Sequence, residues 1–214
     1  MYKNKPFFIV FEGVEGCGKS FQSKKLFKNL KINKIQTILT REPGGTKSSE
    51  LIRNLILKDY FNKNTKDKFN KYTDTLLYLA ARNEHIIHKI KPALLKKKVI
   101  ICDRFIDSTL AYQVFGKKVD LEFINNIHKK ILGNIKPNIV FILKVSAKSS
   151  KLRLNKRKSK NRYDKFPQSF YSNAQKSFLK IAKNKKNYFV FDSSSNDSNL
   201  EKKIFNVVKK YLKI

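Results

Sequence analysis

The sequence predicts an α/β fold in which a five-stranded parallel sheet is flanked by helices. Five short apolar segments carry the β-branched and aromatic residues that are typical of buried parallel strands. Helical patterns separate these segments, and strands that alternate with helices form a parallel sheet with helices on both faces. The predicted strands are residues 7–12, 35–40, 98–102, 138–145 and 187–192.

The helical patterns and two polar segments complete the expected order of elements. The predicted helices are residues 19–31, 47–58, 73–97 with a bend near Pro92, 107–115, 120–133, 146–157, 168–184 and 198–212. The polar residues 59–72 predict an exposed loop. The basic stretch 155–166 favours a lid over phosphates, although an ordinary charged helix surface has a similar composition.

Length and composition predict one domain. The 214 residues, 41% of them hydrophobic, suffice for one core, and no linker divides residues 1–214. No apolar run is long enough to span a membrane, and the early first strand leaves no room for a signal peptide. The two cysteines, Cys17 and Cys102, lack the spacing of metal ligands. We therefore expect reduced cysteines, a cytoplasmic location and no membrane partner.

The formal net charge of +32 would ordinarily suggest a nucleic-acid partner. Only seven of the 48 basic residues are arginine, and Lys, Asn, Ile and Phe are all residues of A+T-rich codons. Genome composition therefore explains the charge, and we expect no specific nucleic-acid partner. Because lysine cannot replace the planar fork of arginine, the remaining arginines indicate candidate binding sites. They are Arg41, Arg53, Arg82, Arg104, Arg153, Arg157 and Arg162.

A glycine-rich loop of the form GxxxxGK[ST] follows the first predicted strand. It consists of Gly13, Val14, Glu15, Gly16, Cys17, Gly18, Lys19 and Ser20. Backbone N–H groups of such a loop cradle phosphate oxygens, and the next helix adds its N-terminal partial charge. Lys19 supplies a full positive charge, and the Ser20 hydroxyl is the expected Mg²⁺ ligand. The loop predicts that the chain binds a nucleoside triphosphate.

Two further strands end in polar residues, where ligands bind in open parallel sheets. Asp103 and Arg104 follow the third strand, and they suit Mg²⁺ and a phosphate, although a structural salt bridge would look the same. The segment 41–46, REPGGT, follows the second strand. It predicts either a simple strand-to-helix turn or a loop that closes over a substrate, and Arg53 lies two helical turns beyond it.

Tyr78 and Arg82 lie four residues apart in a predicted helix and therefore share one face. An aromatic ring beside a guanidinium suits a flat heterocycle, which can stack on the ring and accept hydrogen bonds at its edge. A core tyrosine beside an unrelated surface arginine is the alternative interpretation.

The segments GVEGCGKS, TREPGGT, LLYLAAR, DRFIDSTLAYQ and FDSSS, in this order and spacing, resemble the thymidylate kinase family. The resemblance covers residues 7 to about 200. Adenylate and guanylate kinases share the phosphate loop but not TREPGGT or the DR-x-x-x-ST-x-AYQ pattern. The resemblance implies the P-loop nucleoside-monophosphate-kinase fold with a short lid, at about residues 153–166. It also implies a homodimer that transfers the γ-phosphoryl group of ATP to dTMP with Mg²⁺.

The resemblance also implies roles for individual residues of the acceptor site. Tyr78 would stack on thymine, Arg82 would bind its O4 side, and Tyr112 would crowd the sugar 2′ position. Thr109 and Gln113 match contacts to base and sugar. Arg53 and Arg104 match grips on the dTMP phosphate, and Pro43 lies in the matching acceptor loop.

Other implied roles concern the donor and catalysis. Glu15 matches a carboxylate that addresses the sugar 3′-OH, and the loop after Asp192 matches the adenine-binding segment. Ser20 and Asp103 are the expected metal-site residues. Lys19, Glu15 and the lid arginines are the expected catalytic residues. The lid arginines are included because Gly16 stands where eukaryotic members carry an arginine, and the bacterial type of the family, which this chain resembles, uses lid arginines instead. The lid arginines are Arg153, Arg157 and Arg162, and this chain departs from the family at Asn161 and Lys144.

Two alternatives remain at this point. A deoxynucleoside kinase also carries an Asp-Arg pair after a strand, but it would accept thymidine and would lack TREPGG. A P-loop switch or nucleic-acid-binding module belongs to another class. A guanine-specific switch would carry an NKxD motif, which this sequence lacks.

Overall fold

The computed structural model describes residues 5–58, 68–156, 162–195 and 198–214. The strands are β1 (Phe7–Glu12), β2 (Thr37–Arg41), β3 (Val99–Asp103), β4 (Ile139–Lys144) and β5 (Tyr188–Asp192). They form one sheet in the order β2-β3-β1-β4-β5, and all four pairings are parallel. The predicted five-stranded parallel sheet is confirmed, and each strand lies within two residues of its predicted bounds.

Helices connect the strands and cover the sheet. They are α1 (Lys19–Ile32), α2 (Lys47–Leu57), α3 (Lys71–His85), α4 (Lys91–Leu95), α5 (Ile106–Thr109), α6 (Leu121–Leu132), α7 (Ala147–Asn155), α8 (Gln168–Ala182) and α9 (Ser198–Leu212). Two π-helical segments, Ile86–Ile90 and Leu110–Gly116, and one 3₁₀ turn, Arg162–Lys165, supplement them.

The predicted helix 73–97 differs from the structure at both ends and in its interior. Asn70 caps α3 by accepting from the backbone N–H groups of Tyr72 and Thr73, so the helix begins inside the predicted loop 59–72. The predicted bend is a π-helical segment in which the Lys91 N–H bonds to the Ile86 carbonyl, five residues back. Pro92 donates no N–H and its ring crowds the carbonyl four residues earlier, which favours irregularity here.

The predicted helix 107–115 also differs, because it is α-helical only in α5 and continues as a π-helical segment. In the predicted lid, the structure describes the end of α7 at Asn155 and the 3₁₀ turn Arg162–Lys165. Residues 59–67 of the predicted loop, and Arg157 and Asn161 of the predicted lid, lie outside the described residues.

The core lies on both faces of the three central strands. Phe8, Phe11 and Phe141 are at most 1% exposed, and burying each such side chain contributes roughly 1.5–3 kcal/mol. The register places Asp103 beside both Phe11 of β1 and Arg41 of β2. The carboxyl ends of β1, β2 and β3 therefore meet at one edge of the sheet.

None of the helices in the described ranges is long and apolar enough to cross a membrane.

Candidate active site

The loop between β1 and α1 adopts a conformation that requires glycine. At Gly13, φ is 137°, and a Cβ there would lie 2.4 Å from the Leu143 carbonyl oxygen. Gly18 precedes the first turn of α1 with a left-handed φ of 90°. Because the first N–H groups of a helix have no partner within it, this end of α1 can bind an anion.

Side chains hold five successive carbonyl groups of this loop. Lys19 Nζ donates to the Gly13 oxygen at 3.0 Å and the Val14 oxygen at 2.8 Å. The three other carbonyls accept from side chains of later segments, which fixes each peptide plane. Ser150 binds the oxygen of Glu15 (2.9 Å), Arg153 that of Gly16 (3.1 Å) and Ser193 that of Cys17 (2.7 Å).

Ser20 and Asp103 meet where α1 begins and β3 ends. The Ser20 hydroxyl donates to Asp103 Oδ2, and both side chains line the same cavity. A hydroxyl and a carboxylate are hard oxygen donors of the kind that Mg²⁺ prefers. Within the described ranges, no group of three or more His, Cys, Asp or Glu side chains could hold a metal ion. The two oxygens of Ser20 and Asp103 suit Mg²⁺, which usually keeps several waters and binds through one or two protein ligands and substrate phosphates.

An ion pair connects the phosphate loop to the segment after β3. Arg104 donates from one terminal nitrogen to Glu15 Oε1 at 2.8 Å, and from the other to the Gly13 carbonyl at 2.9 Å. Tyr112 donates to Glu15 Oε2 at 2.6 Å. Burial alone would raise the pKa of the Glu15 carboxyl, but Arg104, Lys19 and Tyr112 together lower it below its ordinary value. Glu15 is therefore ionised and accepts hydrogen bonds within the phosphate loop.

Arg82, on α3, is 3% exposed and lies in a dense set of hydrogen bonds. Its Nε donates to Glu42 Oε2 at 2.7 Å, and one terminal nitrogen contacts Thr109 Oγ1 at 2.9 Å and His128 Nε2 at 2.7 Å. The other terminal nitrogen donates to the Phe105 carbonyl at 2.8 Å. These contacts use four of the five N–H groups of the guanidinium.

Glu42 extends this polar cluster to β2. His85 Nδ1 lies 3.0 Å from Glu42 Oε1, and His85 Nε2 lies 2.7 Å from Thr40 Oγ1. Burial would raise the pKa of Glu42, but Arg82 and His85 outweigh burial, and the pKa lies below its ordinary value. The ionised Glu42 can only accept hydrogen bonds. One oxygen is paired with Arg82 and the other with His85, so Glu42 fixes both side chains.

One cavity brings together the predicted acceptor residues. It is lined by all eight side chains predicted to bind dTMP and by four residues predicted for the phosphates and metal. The first set is Pro43, Arg53, Tyr78, Arg82, Arg104, Thr109, Tyr112 and Gln113, and the second is Glu15, Lys19, Ser20 and Asp103. Arg53 is held there by donating to the Pro43 carbonyl at 2.6 Å.

Gln113 carries a buried amide group in the wall of the cavity. Its side chain is 2% exposed, and its Nε2 has no hydrogen-bond partner among the described residues. A buried amide N–H that lacks a partner costs about 1–3 kcal/mol.

Comparison with known proteins identifies the family. The family model described as thymidylate kinase matches residues 11–204. A thymidylate kinase of Wolbachia pipientis wMel is 42% identical over 179 residues, which cover 82% of this chain and 84% of the relative. A thymidylate kinase of Aster yellows witches'-broom phytoplasma is 39% identical over 210 residues, 96% of each chain. The crystal structure of thymidylate kinase from Ehrlichia chaffeensis superposes with a TM-score of 0.73 at 30% identity. It aligns over 95% of this chain and 99% of that chain.

The chain belongs to the thymidylate kinase family. It is therefore a phosphotransferase that transfers the γ-phosphoryl group of ATP to dTMP. The fold implied by the resemblance, that of a P-loop nucleoside-monophosphate kinase, is also confirmed.

The two described arginines of the predicted lid lie in different surroundings. Arg153, in α7, bonds the carbonyls of Gly16, Ser193 and Ser194, so it joins the phosphate loop to the loop after β5. Arg162 pairs instead with the buried Asp74 of α3, which Lys117 also contacts at 2.6 Å. Of the two described arginines of the predicted lid, Arg153 is therefore the one in contact with the phosphate loop.

Lys144, where the chain departs from the family pattern, forms an ion pair with a nearby residue. Lys144 Nζ lies 3.3 Å from Asp192 Oδ2, and both side chains are about half exposed. An exposed pair of this kind contributes little to stability, typically about 0–1 kcal/mol. Asp192 also accepts from the backbone N–H of Ser194 at 2.8 Å, which shapes the loop predicted to bind adenine.

Several buried polar residues in and around the candidate site were not predicted from the sequence. They are Glu12, Glu42, His85, Ser108 and His128. Glu12 ends the apolar strand β1 and accepts from the Phe105 and Ser108 N–H groups and from the Ser108 hydroxyl. A charged residue at the end of an apolar strand was the available signal for Glu12. For His128, the only signal was one polar residue among the apolar positions of a helix.

Glu12→Gln should reduce the pH dependence of stability. Burial, followed by the nearby Asp107, raises the pKa of Glu12 from 4.5 to about 7. Between these values the folded state binds a proton that the unfolded state has released, so the free energy of unfolding falls as pH rises. The neutral amide lacks this contribution, and the wild type should lose ~1–3 kcal/mol relative to Glu12→Gln between pH 5 and pH 7.

Urea denaturation of both proteins at pH 5, 6 and 7 measures this difference. Glu122→Gln, which removes an exposed carboxylate from α6, is the matched control. Parallel curves of unfolding free energy against pH for wild type and Glu12→Gln would contradict the assignment.

Proposed function

We propose that the cavity at the carboxyl ends of β1, β2 and β3 binds dTMP, and that the phosphate loop binds ATP. One observation carries this proposal. Glu15 belongs to the phosphate loop, lines the cavity and pairs with Arg104 at 2.8 Å. The two predicted substrate sites therefore share a wall, as a direct transfer between two bound nucleotides requires.

In this proposal the cavity recognises each part of dTMP by a different chemistry. Tyr78 offers a ring for stacking, and Arg82 offers its fifth N–H to a base carbonyl. Gln113 and Thr109 lie in the same wall, and Tyr112 limits the room at the sugar 2′ position. Arg53 and Arg104 supply two positive charges for the acceptor phosphate.

The proposed mechanism is an in-line transfer without a covalent enzyme intermediate. An oxygen of the dTMP phosphate attacks the γ-phosphorus of ATP, the bond from that phosphorus to the β–γ bridging oxygen breaks, and ADP leaves with the bonding electrons. The ionised Glu15 holds Arg104, which orients the attacking phosphate. Lys19 and the amide groups of the loop stabilise charge on the donor phosphates.

Mg²⁺ is expected at Ser20 and Asp103, whose oxygens fit it. When bound, it would neutralise charge on the β- and γ-phosphates. Further positive charge for the migrating group is assigned to the lid, where Arg153 contacts the loop carbonyl of Gly16. Arg157 and Arg162 remain the other candidates for this role.

The assembly and location of the enzyme are also proposals. We infer one kinase domain over residues 1–214 with its lid at about 153–166, in the cytoplasm. We further infer a homodimer through the exposed apolar side chains of the paired helices α2 and α3. These are Leu51 (69% exposed), Leu55 (44%), Tyr72 (38%) and Leu76 (47%). Apolar side chains exposed on two helices in contact are typical of protein interfaces.

A coupled assay of ADP release across acceptors tests the proposed function. We expect turnover of dTMP, weaker turnover of dUMP, and none of dCMP, AMP, GMP or thymidine. The reason is that donor groups read a pyrimidine carbonyl, whereas Arg53 and Arg104 require a phosphate. Activity with thymidine in place of dTMP would instead support a deoxynucleoside kinase.

Arg104→Lys should reduce turnover of dTMP about 100-fold or more, although the charge is kept. Arg104 reaches Gly13 and Ser108 from one terminal nitrogen and Glu15 from the other, whereas a lysine has a single donor atom, so the planar fork becomes a point charge. Steady-state kinetics with each substrate varied in turn measure kcat and the two KM values. Near-normal kcat and dTMP KM would show that Arg104 does not orient the acceptor.

Leu51→Lys should convert the proposed dimer to a monomer, because a buried lysine at the interface would lose its hydration. Leu95→Lys is the matched control, since Leu95 is 83% exposed on α4. Sedimentation equilibrium of the two variants and the wild type measures the outcome. A wild-type monomer, or an intact Leu51→Lys dimer, would refute this interface.

A further inference from the structure

We propose that His128, on α6, is a positioning residue for recognition of the acceptor base. It accepts a hydrogen bond from Arg82 and so orients the one remaining N–H of Arg82 toward the cavity. The inference rests on the proposed function of the cavity as the dTMP site. It concerns a residue that does not line the cavity and acts through another side chain.

The chemistry of the contact fixes the state of the imidazole. Arg82 can only donate, and its terminal nitrogen lies 2.7 Å from His128 Nε2, so Nε2 must accept. The ring proton therefore lies on Nδ1, and His128 is neutral. Burial, followed by the charge of Arg82, lowers the pKa of His128 to about 3, so the ring keeps this state at neutral pH.

The hydrogen bond to His128 connects Arg82 to α6, which does not line the cavity. The other three described partners of this arginine, Glu42, Phe105 and Thr109, all belong to the cavity wall. Thr109 and His128 share one terminal nitrogen of Arg82, and each takes one of its two N–H groups. With the plane of the guanidinium fixed in this way, one N–H on the other terminal nitrogen remains for a ligand.

This orientation bears on which base the site accepts. An N–H donor pairs with a ring carbonyl and is left unpaired by an exocyclic amine, so it favours a 4-oxo pyrimidine over a 4-amino pyrimidine. Without His128 as acceptor, a buried N–H of Arg82 loses its partner. The guanidinium would then turn to regain one, at the expense of its contact with the base.

His128→Leu removes the acceptor at similar volume, whereas His128→Gln can place its amide oxygen near the position of Nε2. We expect His128→Leu to raise the dTMP KM about tenfold, with the ATP KM within about twofold of wild type. It should also lower the ratio of kcat/KM for dTMP to kcat/KM for dCMP. His128→Gln should recover most of both losses, and His88→Leu, which removes an exposed histidine, is the matched control.

Each outcome bears on the inference. A folded His128→Leu with unchanged dTMP KM, equal damage in His128→Leu and His128→Gln, or parallel rises in both KM values would overturn it. If His128→Leu does not fold, His128→Asn replaces it in the experiment. The shorter asparagine side chain cannot reach Arg82, so this variant should show the same rise in the dTMP KM as is expected for His128→Leu. A wild-type protein that turns over no dTMP would refute the proposed function, and the inference with it. Variants that match an active wild type would refute the inference alone.

Discussion

The ion pair between Glu15 and Arg104 is the contact on which the arrangement of the site depends. Glu15 belongs to the phosphate loop, and Arg104 belongs to the segment that leaves β3. Arg104 has a left-handed φ of 73°, which is unfavourable for a residue with a side chain, and its N–H bonds to the Phe11 carbonyl. The backbone is thus held in a strained conformation that directs the guanidinium toward the loop. A change in either partner would disturb both nucleotide sites.

A second polar cluster supports the acceptor side and is almost fully paired. Thr40, His85, Glu42, Arg82 and His128 form a continuous chain of hydrogen bonds from β2 to α6. A buried ion pair such as Arg82–Glu42 gains little net stability, because the desolvation of both groups offsets their attraction. Its value lies in orientation, since Glu42 is held by Arg82 and His85 and Arg82 is held by four partners. Removing either charge would leave the other buried and uncompensated.

The sequence was sufficient for the sheet and for part of the cavity, because both follow from short-range patterns. Other cavity residues, among them Thr109, Tyr112 and Gln113, were expected only from the family resemblance. Apolar runs mark the strands, and the ends of parallel strands must meet, so Ser20, Asp103 and Arg104 could be placed together in advance. The π-helical segments could not be predicted, because a helical pattern does not distinguish hydrogen bonds four residues apart from those five apart. Glu12 and His128 have partners that are distant in sequence, and only the fold brings them together. The surroundings of Arg153 and Arg162 depend in the same way on packing between distant segments.

The five tethered carbonyls of the phosphate loop have a thermodynamic consequence. Each carbonyl from Gly13 to Cys17 is held by a side chain, and three of those side chains come from α7 and the loop after β5. The conformational entropy of ordering this loop has therefore been lost once, during folding, and is not lost again at each encounter with a nucleotide. More of the attraction between amides and phosphates then remains available to distinguish the transition state from the bound substrates.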